Sequence, residues 1–142
     1  MRAPTIILAC VGAALVAAFA CSSPTSSNNC GGSVPPSLIG TYTLSSYTLG
    51  SKVWTSPTST GSIQYTATTY QYNLRLATDT TPLSVRDSGS YQQIGSTCLR
   101  QYSLIDTTHF SGSYRLDTIA GTIQLRESGS DGARLVIFLW TR

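Results

Sequence analysis

The sequence predicts an all-β domain that follows an export segment and a polar linker. From residue 37 onward Thr, Tyr, Ser, Ile, Leu and Val dominate the chain. Turn-forming residues interrupt this part at roughly the 8–12-residue spacing that is typical of short strands. No segment shows the period of about 3.6 residues that marks an amphipathic helix. A segment of this length can bury one compact core, so we expect a single β domain.

The order of the strands is predicted from alternating apolar residues and from the turns between them. The first strand is expected at residues 40–49, and residues 52–54 (KVW) are interpreted as a bulge before a loop at residues 56–61. The last strand is expected at residues 134–140 (RLVIFLW), a continuous apolar run that suggests a central strand covered on both faces. The remaining strands are expected at residues 63–67, 70–76, 90–94, 98–105, 112–116 and 119–126, and the main turns at residues 79–82, 87–89 and 127–132.

A short internal repeat indicates how neighbouring strands are connected. Residues 87–91 (DSGSY) recur as residues 110–114 (FSGSY), and each copy is followed by a polar turn and another strand. One interpretation is that Ser-Gly-Ser-Tyr only begins a strand after a turn, where glycine is free to take a positive φ. The other is a repeated hairpin unit. Both predict up-and-down antiparallel neighbours.

Three short elements carry a resemblance to a known family. They are the opening residues 38–42 (LIGTY), the two Ser-Gly-Ser-Tyr strand starts, and the closing residues 135–139 (LVIFL). Together they resemble the lipocalin-like domains of bacterial lipoproteins, in which a Gly-x-Trp/Tyr element begins an eight-stranded up-and-down barrel. The resemblance covers roughly residues 37–142, with Tyr42 in place of the usual Trp. It implies a barrel of about eight strands whose last strand pairs with the first. A β-sandwich is the alternative.

The first twenty residues have the layout of a bacterial signal peptide. Arg2 supplies a positive start, residues 5–20 are uncharged and mostly apolar, and residues 18–21 (AFAC) offer a cleavage site. The apolar run is shorter than the roughly 20 residues that span a bilayer. The segment resembles a lipoprotein lipobox, which implies cleavage after residue 20 and acylation of Cys21; plain A-x-A cleavage is the alternative.

The polar residues 21–36 predict a flexible linker between this anchor and the β domain at residues 37–142. Ser22 stands where the family's inner-membrane retention signal has Asp. The expected location is therefore the bacterial cell envelope, at the outer membrane, with contact to the membrane through the N-terminal lipid.

The cysteines predict one disulfide candidate. Of the four cysteines, Cys10 leaves with the signal peptide and Cys21 is the acylation candidate. Cys30 and Cys98 remain in an oxidising compartment, where a bridge between them is expected. Two free thiols are the alternative.

Residues with catalytic or metal-binding chemistry are sparse. Charged residues make up 11% of the chain, well below the ~25% of ordinary domains, and the arginines are spread singly, which argues against a nucleic-acid partner. His109 is the only histidine, and neither a Gly-x-Ser-x-Gly element nor a zinc-ligand spacing accompanies it. We therefore expect no enzyme activity, no metal and no cofactor.

The aromatic residues provide the candidate ligand contacts. Eight tyrosines and two tryptophans lie mostly within predicted strands, where they form an ordinary β core or line a pocket. The candidates are Trp54, Tyr65, Tyr72 and Tyr102, with Trp54 at the pocket rim. The resemblance implies a binding module for a small apolar ligand. The alternative is a non-catalytic structural or interaction lipoprotein with a packed, ligand-free barrel.

Overall fold

A computed structural model of the protein describes residues 30–105 and 109–142 of the chain. The predicted signal peptide, the acylation candidate Cys21 and most of the predicted linker lie outside these residues, as does the side chain of His109. Within the described ranges, no helix is long and apolar enough to cross a membrane.

The described residues form nine antiparallel strands, which confirms the predicted all-β class. Eight of them close into one barrel in the order β1-β3-β4-β5-β6-β7-β8-β9, and β2 pairs only with β1. The strands are β1 (Gly40–Leu49), β2 (Lys52–Thr55), β3 (Thr60–Tyr65), β4 (Thr69–Leu76), β5 (Leu83–Ile94), β6 (Cys98–Ser103), β7 (His109–Ile119), β8 (Thr122–Asp131) and β9 (Arg134–Thr141).

Pairing between β1 and β9 closes the barrel. The register places Leu44 opposite Trp140 and Leu49 opposite Val136, with an irregularity between Leu44 and Ser46. This is the predicted pairing of the last strand with the first. A closed sheet has no free edge between its first and last strands, so the domain is a barrel and not the alternative sandwich.

The prediction that the apolar run of β9 is covered on both faces is wrong. Trp140 is buried, whereas Leu135 is 50% exposed, and the rest of the strand is mostly half-buried. In a single closed sheet, successive side chains alternate between the interior and the outer surface. Ile137 and Leu139 therefore face outward, opposite Ser128 and Arg126 of β8.

Two predicted turns are strand interiors. Residues 87–89 lie within β5, so that turn prediction is wrong; β8 continues through residues 127–131, so the loop predicted at 127–132 is right only at Gly132. Both segments are rich in polar residues because one face of a barrel strand lies on the outer surface. The same composition is typical of turns, which explains the turn predictions. Two of the hairpins turn at the residue pairs 120–121, between β7 and β8, and 132–133, between β8 and β9, and Ala120, Gly121 and Gly132 there have positive φ values of 49°, 81° and 60°.

The segment interpreted as a bulge before a loop is strand β2. It pairs with residues 46–49 of β1, on the edge where β3 pairs with residues 40–43. The intervening loop is fixed to the end of β4, because the buried Ser59 hydroxyl accepts a hydrogen bond of 2.9 Å from the backbone N–H of Ala77.

The glycines of the repeat are required by close strand contacts and not by positive φ. Gly89 and Gly112 are absent from the residues with positive φ, so the expected conformational role is wrong. A Cβ added at Gly89 would lie 2.8 Å from the backbone carbonyl carbon of Tyr102, and one added at Gly112 would lie 2.6 Å from Cζ of Phe110. Inward-facing glycines at such positions let the strands of a small barrel coil.

Residues 30–39 cover one end of the barrel, which we call the β7–β8 end because the turn at residues 120–121 lies there. Cys30 and Cys98 form a disulfide with a Cα–Cα distance of 5.2 Å, which confirms the predicted pair. The side chain of Gln93 donates a 2.8 Å hydrogen bond to the carbonyl of Pro36, and Leu38 is completely buried. The opposite end, at the turn of residues 132–133, is the β8–β9 end.

Replacing Gly89 with alanine is expected to lower the free energy of unfolding by about 1–3 kcal/mol, because backbone atoms of β6 occupy the space that the new methyl group needs. The matched control is Gly32→Ala, since a Cβ at Gly32 would meet nothing within 4 Å. Urea denaturation followed by circular dichroism measures both. Equal stability of the two variants would contradict the close contact at Gly89.

Candidate ligand-binding site

A buried polar network crosses the middle of the barrel. The Tyr65 hydroxyl donates a hydrogen bond to Oε1 of Glu127 and accepts one of 2.5 Å from the side-chain amide of Gln101. The indole Nε1–H of Trp140 donates to Oε2 of Glu127 at 3.0 Å. These four side chains come from β3, β6, β8 and β9, and closure of the barrel brings them together.

Glu127 is the one charged residue among the buried residues of the described ranges, with an exposed fraction of 3%. Burial raises the pKa of its carboxyl to about 7, and the hydrogen bonds from Tyr65 and Trp140 oppose that rise. The pKa of Tyr65 lies well above its ordinary value, because of burial first and the neighbouring Glu127 second. A proton therefore binds Glu127 far more readily than it binds an exposed glutamate.

A small cavity lies next to this network. Its volume is about 70 Å³. Its walls combine aliphatic, aromatic and polar side chains, namely Ile63, Tyr72, Leu74, Gln101, Phe110, Glu127, Phe138 and Trp140.

The cavity lies between the network and the β8–β9 end of the barrel. Phe110 is near the start of β7 and Leu74 near the end of β4, and both of these strand ends lie at the β8–β9 end. The inward-facing side chains Tyr72, Phe110 and Phe138 are only half-buried, so this half of the lumen is less completely filled. The other half of the barrel is filled, with Leu99 and Leu125 completely buried.

An aromatic column connects the outer edge of this end to the network. Trp54 stacks on Tyr47 with ring centroids 5.4 Å apart, Tyr47 stacks on Phe138 at 5.3 Å, and Phe138 stacks on Trp140 at 5.7 Å. The interplanar angles lie between 18° and 27°. These stacked rings give the lumen a continuous aromatic side from its edge to the carboxyl of Glu127.

The structure places the four ligand-contact candidates from the sequence in different parts of the barrel. Tyr72 lines the cavity, and Tyr65 belongs to the network through its bonds to two of the lining residues. Trp54 is half-buried at the outer end of the aromatic column. Tyr102 alternates with the inward-facing Gln101 and therefore lies on the outer face of the barrel.

Sequence reasoning missed Glu127, because the residue was assigned to a turn. A usable signal was present in residues 122–127 (TIQLRE), where Ile123, Leu125 and Glu127 occupy alternate positions. A strand with that alternation places the glutamate on the same inner face as the two apolar residues. The partners Gln101 and Trp140 come from distant parts of the chain and depend on the barrel register.

A second depression on the barrel is larger but chemically plainer. Its volume is about 240 Å³, and Gln64, Gln71, Ser88 and Leu104 contribute to its lining. No Lys, Arg, Asp, Glu or His lines it, and the Tyr70 hydroxyl at its edge already donates to Asp87 at 2.6 Å. The interior cavity, with a buried carboxyl on its wall, is therefore the candidate site.

The described side chains contain no group of three or more His, Cys, Asp or Glu that could hold a metal ion. The side chain of His109, the only histidine of the chain, lies outside them. Comparisons with known proteins find no matching family model, no matching curated protein and no matching solved structure. The barrel and its cavity are therefore the features of the molecule that bear on its function.

The raised pKa of Glu127 predicts that the domain loses stability as pH rises. The folded state keeps a proton up to a pKa of about 7, whereas the unfolded glutamate releases it near 4.5. The extra stability is complete below pH 4.5 and is lost as pH rises through 7, with a span of about 3 kcal/mol. Urea denaturation between pH 4 and 8 measures this slope.

Glu127→Gln should remove that slope, whereas Asp117→Asn, which changes an exposed carboxylate in a surface ion pair, should retain it. A wild-type domain whose stability is constant or rises between pH 5 and 8 would contradict a buried, protonated Glu127.

Proposed function

We propose that the chain is an exported, lipid-anchored binding module whose barrel holds one end of a small, mostly apolar molecule. The observation that carries this proposal is the cavity of about 70 Å³ beside a hydrogen-bonded polar network at the β8–β9 end. Ligand sites combine a largely apolar wall with a few placed polar groups, and this cavity has that composition.

The size of the cavity limits what it can contain. Pockets that enclose a whole drug-sized ligand have volumes of roughly 300–1,000 Å³, several times that of this cavity. We propose that the cavity takes the end of an elongated ligand and that the remainder lies toward the β8–β9 end. The half-buried ring of Phe138, which stacks on the buried Tyr47, provides apolar surface for that remainder.

The closed eight-stranded barrel is compatible with the lipocalin-like family that the sequence resembles. We extend the proposal to the rest of that resemblance: cleavage of residues 1–20, acylation of Cys21 and attachment to the cell envelope, at the outer membrane. Because Cys30 is bridged to Cys98 at the β7–β8 end, the proposed anchor would join the domain at the end opposite the cavity.

The second candidate is a structural or interaction lipoprotein with a ligand-free barrel and no catalytic role. The specific observation in its favour is the packing of the β7–β8 half, where Leu38, Leu99 and Leu125 are completely buried. Binding in the other half decides between the two candidates.

Filling the cavity is expected to abolish ligand binding. The chain has two tryptophans, so their indole N–H signals form a simple NMR spectrum in which Trp140 reports on the cavity and Trp54 on the outer edge. In the wild type, n-hexanol should shift the Trp140 signal saturably. Leu74→Phe should remove this response, because the larger side chain occupies the cavity.

Leu139→Phe, the same change on the outer face, should leave the response intact. If n-hexanol and the other small apolar molecules of a homologous alcohol series leave the wild-type Trp140 signal unchanged, the ligand-free barrel is the better description.

Replacing Cys21 with serine is expected to abolish acylation and to move the protein from the membrane fraction to the soluble fraction. Metabolic labelling with an alkyne fatty acid measures the first effect, and fractionation measures the second. Cys10→Ser is the matched control and should be labelled like the wild type. Full labelling of the Cys21 variant would contradict the assignment, and an unlabelled wild type would favour plain A-x-A cleavage.

A further inference from the structure

We propose that the cavity recognises a primary ammonium group, with Glu127 as its counter-ion and the surrounding aromatic rings as its walls. This inference rests on the proposed binding function and names the chemical class of the ligand: a small alkylamine whose charged end enters first. Four features of the described residues support it.

The first feature is a buried acid without a charged partner. The ion pairs among the described residues are Lys52–Asp79, Arg115–Asp117 and Arg134–Asp131, and all of them lie on the surface. Among the described side chains, the hydrogen-bond donors to Glu127 are the neutral groups of Tyr65 and Trp140. An ionised carboxylate in a low-dielectric interior is costly unless a cation pairs with it, so the site favours a ligand that supplies the missing positive charge.

The second feature is the remaining acceptor capacity of that carboxyl group. Each oxygen of Glu127 accepts one hydrogen bond within the network, from Tyr65 on Oε1 and from Trp140 on Oε2. A carboxylate oxygen has lone pairs for two such bonds. Because Glu127 also lines the cavity, an ammonium group there can donate to it without displacing either partner.

The third feature is the aromatic composition of the wall. Tyr72, Phe110, Phe138 and Trp140 line the cavity together with Glu127. The faces of aromatic rings attract cations, and the attraction is stronger at desolvated positions than at exposed ones. A neutral apolar ligand would use the same rings but would leave the carboxylate unpaired.

The fourth feature is the match in size. The volume of about 70 Å³ admits an ammonium group with a short part of its alkyl chain, but not a bulky ring system. The chain can then continue along the half-buried Phe138 toward the β8–β9 end.

Three of the tyrosines near Glu127 have a pKa above the range that the test uses. The tyrosines that face it come from other strands, with Tyr42 on β1, Tyr65 on β3, Tyr72 on β4 and Tyr114 opposite it on β7. Burial is the main cause that raises the pKa of Tyr42, Tyr65 and Tyr114 above 10. Glu127 is therefore the described group in this region that titrates between pH 6 and 8.

The test compares n-butylammonium with n-butanol, which has a similar size and no charge, at constant ionic strength. Binding is followed by the Trp140 indole signal. We expect n-butylammonium to bind at least about tenfold more tightly than n-butanol at pH 8. Its affinity should fall as the pH is lowered to 6, because protonated Glu127 no longer carries a negative charge, whereas the amine stays protonated up to a pKa of about 10.

Two variants test the two parts of the site. Glu127→Gln should weaken n-butylammonium binding by about tenfold or more and n-butanol binding little, whereas Asp117→Asn removes one surface carboxylate and should change neither. Phe138→Leu keeps the wall apolar but removes a ring face, and it should weaken n-butylammonium binding by about two- to fivefold. If Glu127→Gln does not fold, the Phe138 variant and the wild-type pH dependence decide.

The outcomes separate this inference from the proposed function. Equal affinity for the two probes, or n-butylammonium binding that is unchanged in Glu127→Gln, would overturn the ammonium site. Binding of n-hexanol and n-butanol would then still support a neutral apolar ligand. If neither the amine nor any alcohol shifts the Trp140 signal, the ammonium site and the proposed binding function both fail.

Discussion

Closure of the barrel by β1 and β9 is the constraint on which the rest of the structure depends. Their pairing creates one enclosed lumen, and Trp140 of β9 lies between Leu44 of β1 and Leu125 of β8 within it. The same tryptophan donates a hydrogen bond to Glu127. A buried carboxyl group is tolerated only when hydrogen-bond donors surround it. Trp140 therefore links the strand pairing that closes the barrel to the hydrogen bonding of the buried Glu127.

The polar network divides the lumen into regions with different properties. On the β7–β8 side, leucine and tyrosine side chains fill the space, and the disulfide at Cys30 fastens the N-terminal segment over it. On the β8–β9 side, the inward rings are half-buried and leave a cavity. The tightly packed part of the core and the candidate binding cavity thus lie at opposite ends of one small domain.

The architecture could be predicted from the sequence, but the site could not. Alternation in residues 70–76 and the apolar run at 134–140 identified strands, and the resemblance gave the pairing of the last strand with the first. The polar stretches 87–89 and 127–131 were misassigned, because serine and glycine on the outer and close-packed faces of a barrel strand have the composition of a turn. Glu127 was lost with that error.

The network was beyond any local pattern, since Tyr65 and Glu127 are 62 positions apart and meet only through the barrel register.

The disulfide would also have a mechanical consequence in the proposed form that is anchored at Cys21. Without it, the chain between residues 21 and 36 could extend about 50 Å at most. With Cys30 bridged to the barrel, the free segment from residue 21 would end at residue 30 and could span about 30 Å at most, so in the proposed anchored form the disulfide would shorten the greatest distance between the domain and the membrane.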